Sequence, residues 1–192
     1  MSDSALHIVD VEVSGVGVID LAHRVRGWLL AEQIIVAQYA QGAPAVDAFG
    51  VGVGVARSLA DPVDASTMLG AGVQVEQGRT MFHGGESGLP DVLCPRCGFR
   101  AIATDRERYA PWWEPACEML TRWHRNGGTT AVRCPHCAAP TGFNDWQAGD
   151  DPWAIGEFAI TLWNWPPPSQ TFTSSLIEQL GGHRTVMVNA HF

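Results

Sequence analysis

Two short cysteine motifs constrain this chain more than any other feature. The first is Cys94-Pro95-Arg96-Cys97 and the second is Cys134-Pro135-His136-Cys137. In each motif the proline restricts the backbone of a tight turn, so that its two sulfurs converge. Two such turns supply four thiolates, the ligand set of a closed tetrahedral metal site. We therefore predict one structural zinc ion, with the ligands Cys94, Cys97, Cys134 and Cys137.

The segment between the motifs is long for a zinc ribbon. It holds 36 residues, whereas a minimal ribbon has roughly 15 to 20. Aromatic and apolar residues recur on one helical face from Tyr109 to His124, and Gly127-Gly128 ends the pattern. Because Pro111 and Pro115 suit only the first turn of a helix, we predict a helix from about Trp112 to Arg125.

The ligand set also bears on activity. Four thiolates leave no open position for water or substrate, so we expect the zinc to be structural rather than catalytic. Iron is the rival metal, since rubredoxins pair two similar turns, but they are far shorter than this chain. His83, His124 and His136 have no nucleophile or carboxylate at a supporting spacing, and Cys117 suits a small core position. An enzyme of another type stays open as an alternative.

Composition indicates a globular chain. Its 192 residues are 46% apolar and 17% charged, the usual balance of folded domains. No apolar run reaches the roughly 18 residues of a membrane helix, and the start of the chain lacks the basic residues of a signal peptide. Four of the five cysteines are assigned to metal, which suits a reducing compartment. We expect a cytoplasmic protein without membrane contact.

Alternating and helical patterns outline the remaining elements. Apolar residues at every second position predict strands, and apolar residues at helical spacing predict helices. Three consecutive prolines at 166–168 must end one of the strands. The strands are expected over about residues 5–13, 72–83, 157–165 and 186–192, and the helices over about 19–32 and 172–180.

This element order predicts an α+β fold. It permits a ferredoxin-like split β-α-β arrangement with an inserted four-cysteine zinc ribbon that has a helix between its knuckles. We divide the chain into an N-terminal strand-helix unit (1–41), a Gly-rich loop with weak strands (42–90), the zinc-ribbon insert (91–146) and a C-terminal strand-helix-strand unit (147–192). The last unit is expected to pack with the first.

Charge is unevenly distributed. The net charge of −8 argues against general binding to a phosphate backbone, yet the segment around the knuckles has seven arginines against four acids. Nucleic-acid binding through these arginines is therefore the alternative function. They are Arg96, Arg100, Arg106, Arg108, Arg122, Arg125 and Arg133.

An acidic, tryptophan-containing stretch follows the second knuckle. From Cys137 through Glu178 there are five acids and no lysine or arginine. Tryptophans among acids can form a surface that binds a basic protein, while the alternative is a solvated acidic loop with buried rings. We expect a protein partner of the toxin-neutralising (immunity) or regulatory kind. The candidate contacts are Asp145, Trp146, Asp150, Asp151 and Trp153.

Several motifs together resemble a known group of proteins. These are the paired Cys-Pro-x-Cys turns, the intervening Trp112-Trp113 helix, Phe143-Asn144-Asp145-Trp146 and the closing Ala190-His191-Phe192. Residues 80 to 192 are in this way similar to uncharacterised bacterial zinc-ribbon proteins of the actinobacterial type. That group has no established activity, so the resemblance implies zinc and a bacterial origin.

Overall fold

The computed structural model describes residues 3–84, 91–146 and 152–192. Within these ranges the chain forms ten strands and three α-helices. In chain order they are β1 Ser4–Asp10, α1 Gly17–Ala31, β2 Ile35–Tyr39, β3 Phe49–Val51, β4 Gly72–Phe82, β5 Val92–Leu93, β6 Arg100–Ala101, α2 Arg106–Asn126, β7 Ala131–Arg133, β8 Pro140–Gly142, β9 Ala154–Trp163, α3 Gln170–Gln179 and β10 Thr185–His191. Short 3-10 helices lie at Val53–Ser58, Ala65–Thr67 and Phe143–Asp145.

Six strands form the main sheet, in the order β10-β1-β9-β4-β3-β2. Every neighbouring pair is antiparallel. Strands β1 and β4 both pair antiparallel with β9, so β1 and β4 are parallel to each other. The connection from β1 to β4 passes over β9 and includes α1. In the same way β9 and β10 flank β1, and α3 connects them. These are two split β-α-β units, so the fold is α+β with the ferredoxin-like arrangement.

The remaining elements are additions to this framework. Strands β2 and β3 extend the sheet beyond β4 and occupy part of the Gly-rich region. Strands β5 to β8 and helix α2 lie in the chain between β4 and β9. The four strands form two separate hairpins, β5 with β6 and β7 with β8. We call the segment from β5 through Trp146 the insert.

Two apolar cores result. The first lies between the sheet and helices α1 and α3, where Leu21, Val25 and Leu176 pack against Ile8 and Ile160. The second, which we call the insert core, lies between α2 and the hairpins. Its buried members are Val92, Cys94, Ala101, Tyr109, Trp112, Ala116, Met119, Trp123, Val132, Cys134, Phe143, Trp146, Trp153 and Ile155. The insert therefore has an apolar core of its own and extends it onto β9.

The first strand is shorter than predicted. It ends at Asp10 rather than continuing to Val13, because the Asp10 carboxylate accepts hydrogen bonds from the amides of Glu12 and Val13, both at 2.9 Å. Such a side-chain turn withdraws the two amides from the sheet. The alternating valines therefore continue past the end of the strand.

Helix α2 is longer than predicted. It begins at Arg106 and not near Trp112, with both Pro111 and Pro115 inside it. The Asp105 side chain caps the start by accepting from two backbone amides. Both prolines are on the exposed side of the helix, where water can hydrate the carbonyls that lack an amide partner. Burial of Tyr109 and Trp112 stabilises this first part of the helix.

No helix in the described ranges combines the length and the apolar character that crossing a bilayer would require.

Candidate metal centre

Each cysteine pair lies in the turn of a short hairpin, the first between β5 and β6 and the second between β7 and β8. In the first turn the amide of Cys94 donates to the carbonyl of Phe99 at 2.8 Å, and the amide of Gly98 donates to the carbonyl of Cys94 at 2.9 Å. In the second turn the amide of Cys134 donates to the carbonyl of Ala139 at 3.0 Å. The two motifs thus form equivalent backbone turns.

The residue after each second cysteine has a left-handed backbone. Gly98 has a φ of 70° and Ala138 has a φ of 59°. Glycine adopts this conformation freely, whereas for other residues it costs roughly 1–2 kcal/mol. The hydrogen bond from the Ala138 amide to the Cys134 carbonyl, at 2.9 Å, stabilises the second turn. The second knuckle therefore closes without the glycine that follows the first.

The turns bring all four predicted ligands together. Their Sγ atoms lie within 4.8 Å of one another and could hold a metal ion. The Sγ atoms of Cys97 and Cys134 are 3.7 Å apart. A regular tetrahedron with Zn–S bonds of about 2.3 Å places its sulfurs about 3.8 Å apart. The donor set therefore fits a tetrahedral, thiolate-preferring metal ion.

Backbone amides support the buried sulfur of each pair. The amide of Arg96 donates to Cys94 Sγ, and the amide of His136 donates to Cys134 Sγ, both at 3.4 Å. Cys94 and Cys134 are buried, whereas Cys97 and Cys137 are exposed. Each turn thus presents one sulfur from the insert core and one from the surface.

The neighbouring sulfurs shift the pKa values of Cys97 and Cys137 in opposite directions. A backbone hydrogen bond to Ala139 lowers the pKa of Cys137. A backbone hydrogen bond to Phe99 also favours the Cys97 thiolate, but burial and the neighbouring sulfurs outweigh it and raise the pKa of Cys97 to about 12. Burial raises the pKa of Cys134 as well. Since like charges at this spacing repel, four thiolates require a metal ion.

Aromatic rings pack beside the two cysteine hairpins in the insert core. The Trp112 ring is fully buried, and its centroid lies 5.2 Å from that of Trp146 and 5.4 Å from that of Trp153. The Phe143 and Trp153 rings stack at 4.8 Å. A cluster of this kind gains both buried area and ring-to-ring contact. The apolar packing and the cysteine cluster thus share one small core.

Three polar contacts join the insert to the main sheet. The Asn144 amide group exchanges two hydrogen bonds of 2.8 Å with the backbone of Ile155, at the start of β9. The Arg184 guanidinium donates to the carboxylate of Asp145 and to the carbonyl of Asn144. Arg79 in β4 donates to Glu157 at 2.9 Å and to the carbonyl of His124. The insert is thereby held at its C-terminal end and at the end of α2.

The predicted partner-binding residues require a correction. Trp146 and Trp153 are only 3% and 4% exposed, so their rings form part of the insert core and not a surface for a partner. Packing of these two rings against Trp112 is more favourable than exposing them to solvent, because burial of each indole removes a large apolar area from water. Asp145 is accessible but paired with Arg184. Asp150 and Asp151 lie outside the described residues.

The seven arginines of the insert segment are all exposed. Arg100 pairs with Asp91 at 3.0 Å, and the Arg133 guanidinium donates to the carbonyl of Ala138. For the other five, the described parts of the chain show no ion pair. Arg96 in the first knuckle and the four arginines of α2 are therefore available to a ligand.

One buried polar pair was not found from the sequence. Asp10 is fully buried, and its Oδ2 lies 2.7 Å from His183 Nδ1. The carboxylate fixes the orientation of the imidazole, whose side chain is 36% exposed. The two residues are 173 positions apart, so no local pattern could indicate their contact. The one available signal was the position of Asp10 between Val9 and Val11 in the first strand.

A second polar cluster lies on the sheet face opposite the helices. His7 Nδ1 is 2.7 Å from Thr161 Oγ1, and the Thr161 hydroxyl also contacts the Glu76 carboxylate. His7 and Thr161 are buried. The three residues come from the adjacent strands β1, β9 and β4, so only the sheet register brings them together.

Comparisons with other proteins give no family assignment. No protein-family model matches the chain, and neither the curated proteins nor the solved structures contain a match. The resemblance to bacterial zinc-ribbon proteins therefore stays a prediction.

Proposed function

We propose that this chain is a zinc protein whose metal is structural. The observation that supports this most directly is the group of four Sγ atoms within 4.8 Å of one another. A tetrahedral all-sulfur donor set is typical of zinc or of iron-sulfur centres. Zinc is favoured because each turn is part of a hairpin packed on a folded aromatic core, in a chain of 192 residues. The ion would fix both hairpins relative to α2.

Four protein thiolates would complete the coordination of zinc. No position remains for a water molecule or a substrate, so the metal would not act as a Lewis acid. We propose that the protein is not an enzyme and acts by binding another protein, in a toxin-neutralising or regulatory role. The zinc would contribute indirectly, by holding the binding surface in one conformation.

The accessible knuckle tips are the proposed contact region. Phe99 and His136 stack across the two turns, with ring centroids 6.0 Å apart and an angle of 5° between their planes. Arg96 and Arg133 are exposed beside them. Aromatic and arginine side chains are enriched at protein interfaces. A basic partner remains a prediction for the acidic stretch at Asp150 and Asp151, whereas the knuckle tips favour an acidic group.

Metal analysis combined with affinity capture from the host tests this function. The zinc content and the co-purifying proteins would be compared for the natural chain, Cys97→Ser and Cys117→Ser. We expect one zinc per chain and one stoichiometric protein partner for the natural chain and for Cys117→Ser, and neither for Cys97→Ser. Zinc without any stoichiometric partner would contradict the binding role and leave the metal site intact. Iron in place of zinc would contradict the choice of metal.

The exposure of all seven arginines favours a second candidate, which is nucleic-acid binding. Phosphate contacts release counterions, so binding would weaken steeply as salt rises. A gel shift at low salt that is reduced in Arg106→Gln and Arg108→Gln would support this candidate. No shift with DNA or RNA at low salt would remove it.

A further inference from the structure

A buried carboxylate orients one partly exposed histidine at the end of the main sheet. Asp10 and His183 come together because Asp10 pairs with Thr185 at the last step of the ladder between β1 and β10. The Asp10 side chain is fully buried, and its Oδ2 lies 2.7 Å from His183 Nδ1. Its Oδ1 accepts from the amides of Glu12 and Val13, both at 2.9 Å. Both carboxylate oxygens are therefore held in place, and the imidazole ring is held with them.

The other ring nitrogen of His183 is accessible. The side chain is 36% exposed, and Nε2 has no hydrogen-bond partner among the described residues. Nε2 is also not one of the enclosed polar atoms that lack a partner in that part of the chain, so solvent reaches it. An ionised carboxylate only accepts hydrogen bonds, so Asp10 keeps the proton of the neutral ring on Nδ1. The lone pair of Nε2 is then free to form a new bond.

A guanidinium lies beside this nitrogen. A Cβ at Gly181, just after α3, would lie 3.5 Å from His183 Nε2 and 3.7 Å from Arg24 Nη2. Because Gly181 has no side chain, the small space that both nitrogens border stays open. Arg24 is exposed on α1 and has no ion pair in the described ranges. An unpaired guanidinium attracts an anionic group and repels a metal cation.

We propose that His183 is a phosphorylation site whose Nε2 accepts a phosphoryl group from a phosphoramidate donor, in which phosphorus is bonded to nitrogen. The Nε2 lone pair attacks phosphorus and forms the new N–P bond, because neutral imidazole is a nucleophile. The P–N bond of the donor breaks, and the donor nitrogen, already protonated, leaves as ammonia or an amine. The His183 ring keeps its proton on Nδ1 and becomes cationic.

Two neighbours stabilise this product. The Asp10 carboxylate accepts a charge-assisted hydrogen bond from the cationic ring, and the Arg24 guanidinium donates to the phosphoryl oxygens. Asp10 is thus a positioning residue, since it acts through the imidazole. The inference goes beyond the proposed function, and it depends on neither the metal ion nor a protein partner.

Reaction of the full chain with potassium phosphoramidate tests the site. The rate at each histidine is followed by ³¹P NMR and by tandem mass spectrometry without acid, because phosphorylated imidazole is acid-labile. His23 is the control within the same molecule, since it is exposed on α1 and has no carboxylate partner among the described ion pairs. The variants are His183→Gln, Asp10→Asn and Arg24→Gln. Arg122→Gln, at an exposed position of α2, is the matched control for the arginine.

We expect His183 to react roughly tenfold to hundredfold faster than His23, since the cationic ring gains a hydrogen bond to a charged group. The rate at this position should fall by a similar factor in Asp10→Asn, fall less in Arg24→Gln and stay unchanged in Arg122→Gln. In His183→Gln the fast reaction should be absent. Equal rates at His183 and His23, or equal losses in the two arginine variants, would overturn the proposal. If Asp10→Asn does not fold, the comparison within the natural chain still decides.

The tautomer of the His183 ring is a second readout, which does not depend on the reaction. In a long-range ¹⁵N-¹H correlation spectrum at a pH where the ring is neutral, we expect the proton on Nδ1. In Asp10→Asn the side-chain amide can donate to Nδ1, so the proton should move to Nε2. A natural chain with the proton on Nε2 would contradict the proposal, because that nitrogen would then have no lone pair for the attack.

Discussion

The Nε of Arg79 lies 2.9 Å from Oε1 of Glu157, where β4 and β9 leave their regular register. The same guanidinium donates to the carbonyl of His124 in the last turn of α2, at 3.4 Å. A cation at this end of a helix is favourable because the terminal carbonyls lack amide partners. Arg79 therefore connects the framework of the sheet to the helix that supports the cysteine hairpins.

Replacing this arginine should loosen the insert. In Arg79→Gln the Glu157 carboxylate, which is 15% exposed, loses its charged partner. We expect a loss of about 1–3 kcal/mol in the free energy of unfolding, measured by urea denaturation. Tryptophan fluorescence should report the change, since Trp112, Trp123, Trp146 and Trp153 belong to the insert core.

An exposed ion pair provides the control for this change. Arg57 and Glu32 are 65% and 51% exposed and 3.7 Å apart. Exposed pairs contribute about 0–1 kcal/mol, so Arg57→Gln should have little effect. Equal destabilisation by the two substitutions would mean that Arg79 has no special role between sheet and insert.

The sequence was most informative where a local rule determines structure. The two Cys-Pro-x-Cys turns predicted the convergence of four sulfurs, because turn geometry depends on adjacent residues. Alternation predicted β4 and β9 to within a few residues. The triple proline at 166–168 correctly marked the end of β9 at Trp163. The ferredoxin-like arrangement followed from the order of elements.

The failures arose where packing outweighs a local rule. Proline chemistry placed the start of α2 too late, since capping by Asp105 and burial of Tyr109 stabilise the turns before Pro111. Composition suggested that Trp146 could be exposed, but only the three-dimensional core shows that its ring packs against Trp112. Long-range contacts such as Asp10 with His183 have no signature in sequence spacing.

Asn144 should be essential for docking the second hairpin. Its side chain both donates to and accepts from the backbone of Ile155, so it replaces one step of a strand ladder. Asn144→Asp retains the shape but loses the donor, and we expect about 1–3 kcal/mol of destabilisation in urea unfolding. Asn189→Asp, at an exposed position of β10, is the control. If both variants unfold at the same urea concentration, the Asn144 contact does not fix the insert.

Ionisation of Tyr109 should contribute to the loss of folding stability at alkaline pH. Burial is the main reason that its pKa rises from 10.0 to about 12. The folded state therefore retains the phenol proton more tightly than the unfolded state. This contribution is complete below pH 10 and is lost as the pH rises from 10 toward 12.

A phenylalanine substitution isolates this effect. Tyr109→Phe removes the titrating group and a buried hydroxyl without a partner in the described residues. At pH 7 we expect it to be as stable as the natural chain or slightly more so. Above pH 10 its thermal midpoint should fall less steeply than that of the natural chain. Parallel curves across this range would rule out a buried, titrating Tyr109. Tyr39→Phe, at an exposed position, should match the natural chain.

Thiol counting should distinguish ligands from the remaining cysteine. Cys137 is exposed and its pKa is lowered, so without metal it should react readily with a thiol reagent. Cys97 is also exposed, but its raised pKa should make it react more slowly. With metal bound, we expect at most Cys117 to react, and slowly, because burial raises its pKa. Chelator plus denaturant should release all five thiols. In Cys117→Ser the native, metal-loaded protein should show none. Rapid reaction of any thiol before chelation would indicate that the cysteines hold no metal.

Zinc K-edge X-ray absorption of the purified protein tests the closed four-cysteine site most directly. We expect one shell of four sulfur atoms at about 2.3 Å and no nitrogen or oxygen ligand. Cys117→Ser should give the same spectrum. A first shell with three or fewer sulfurs and an oxygen or nitrogen at about 2.0 Å would show an open site and contradict the structural assignment.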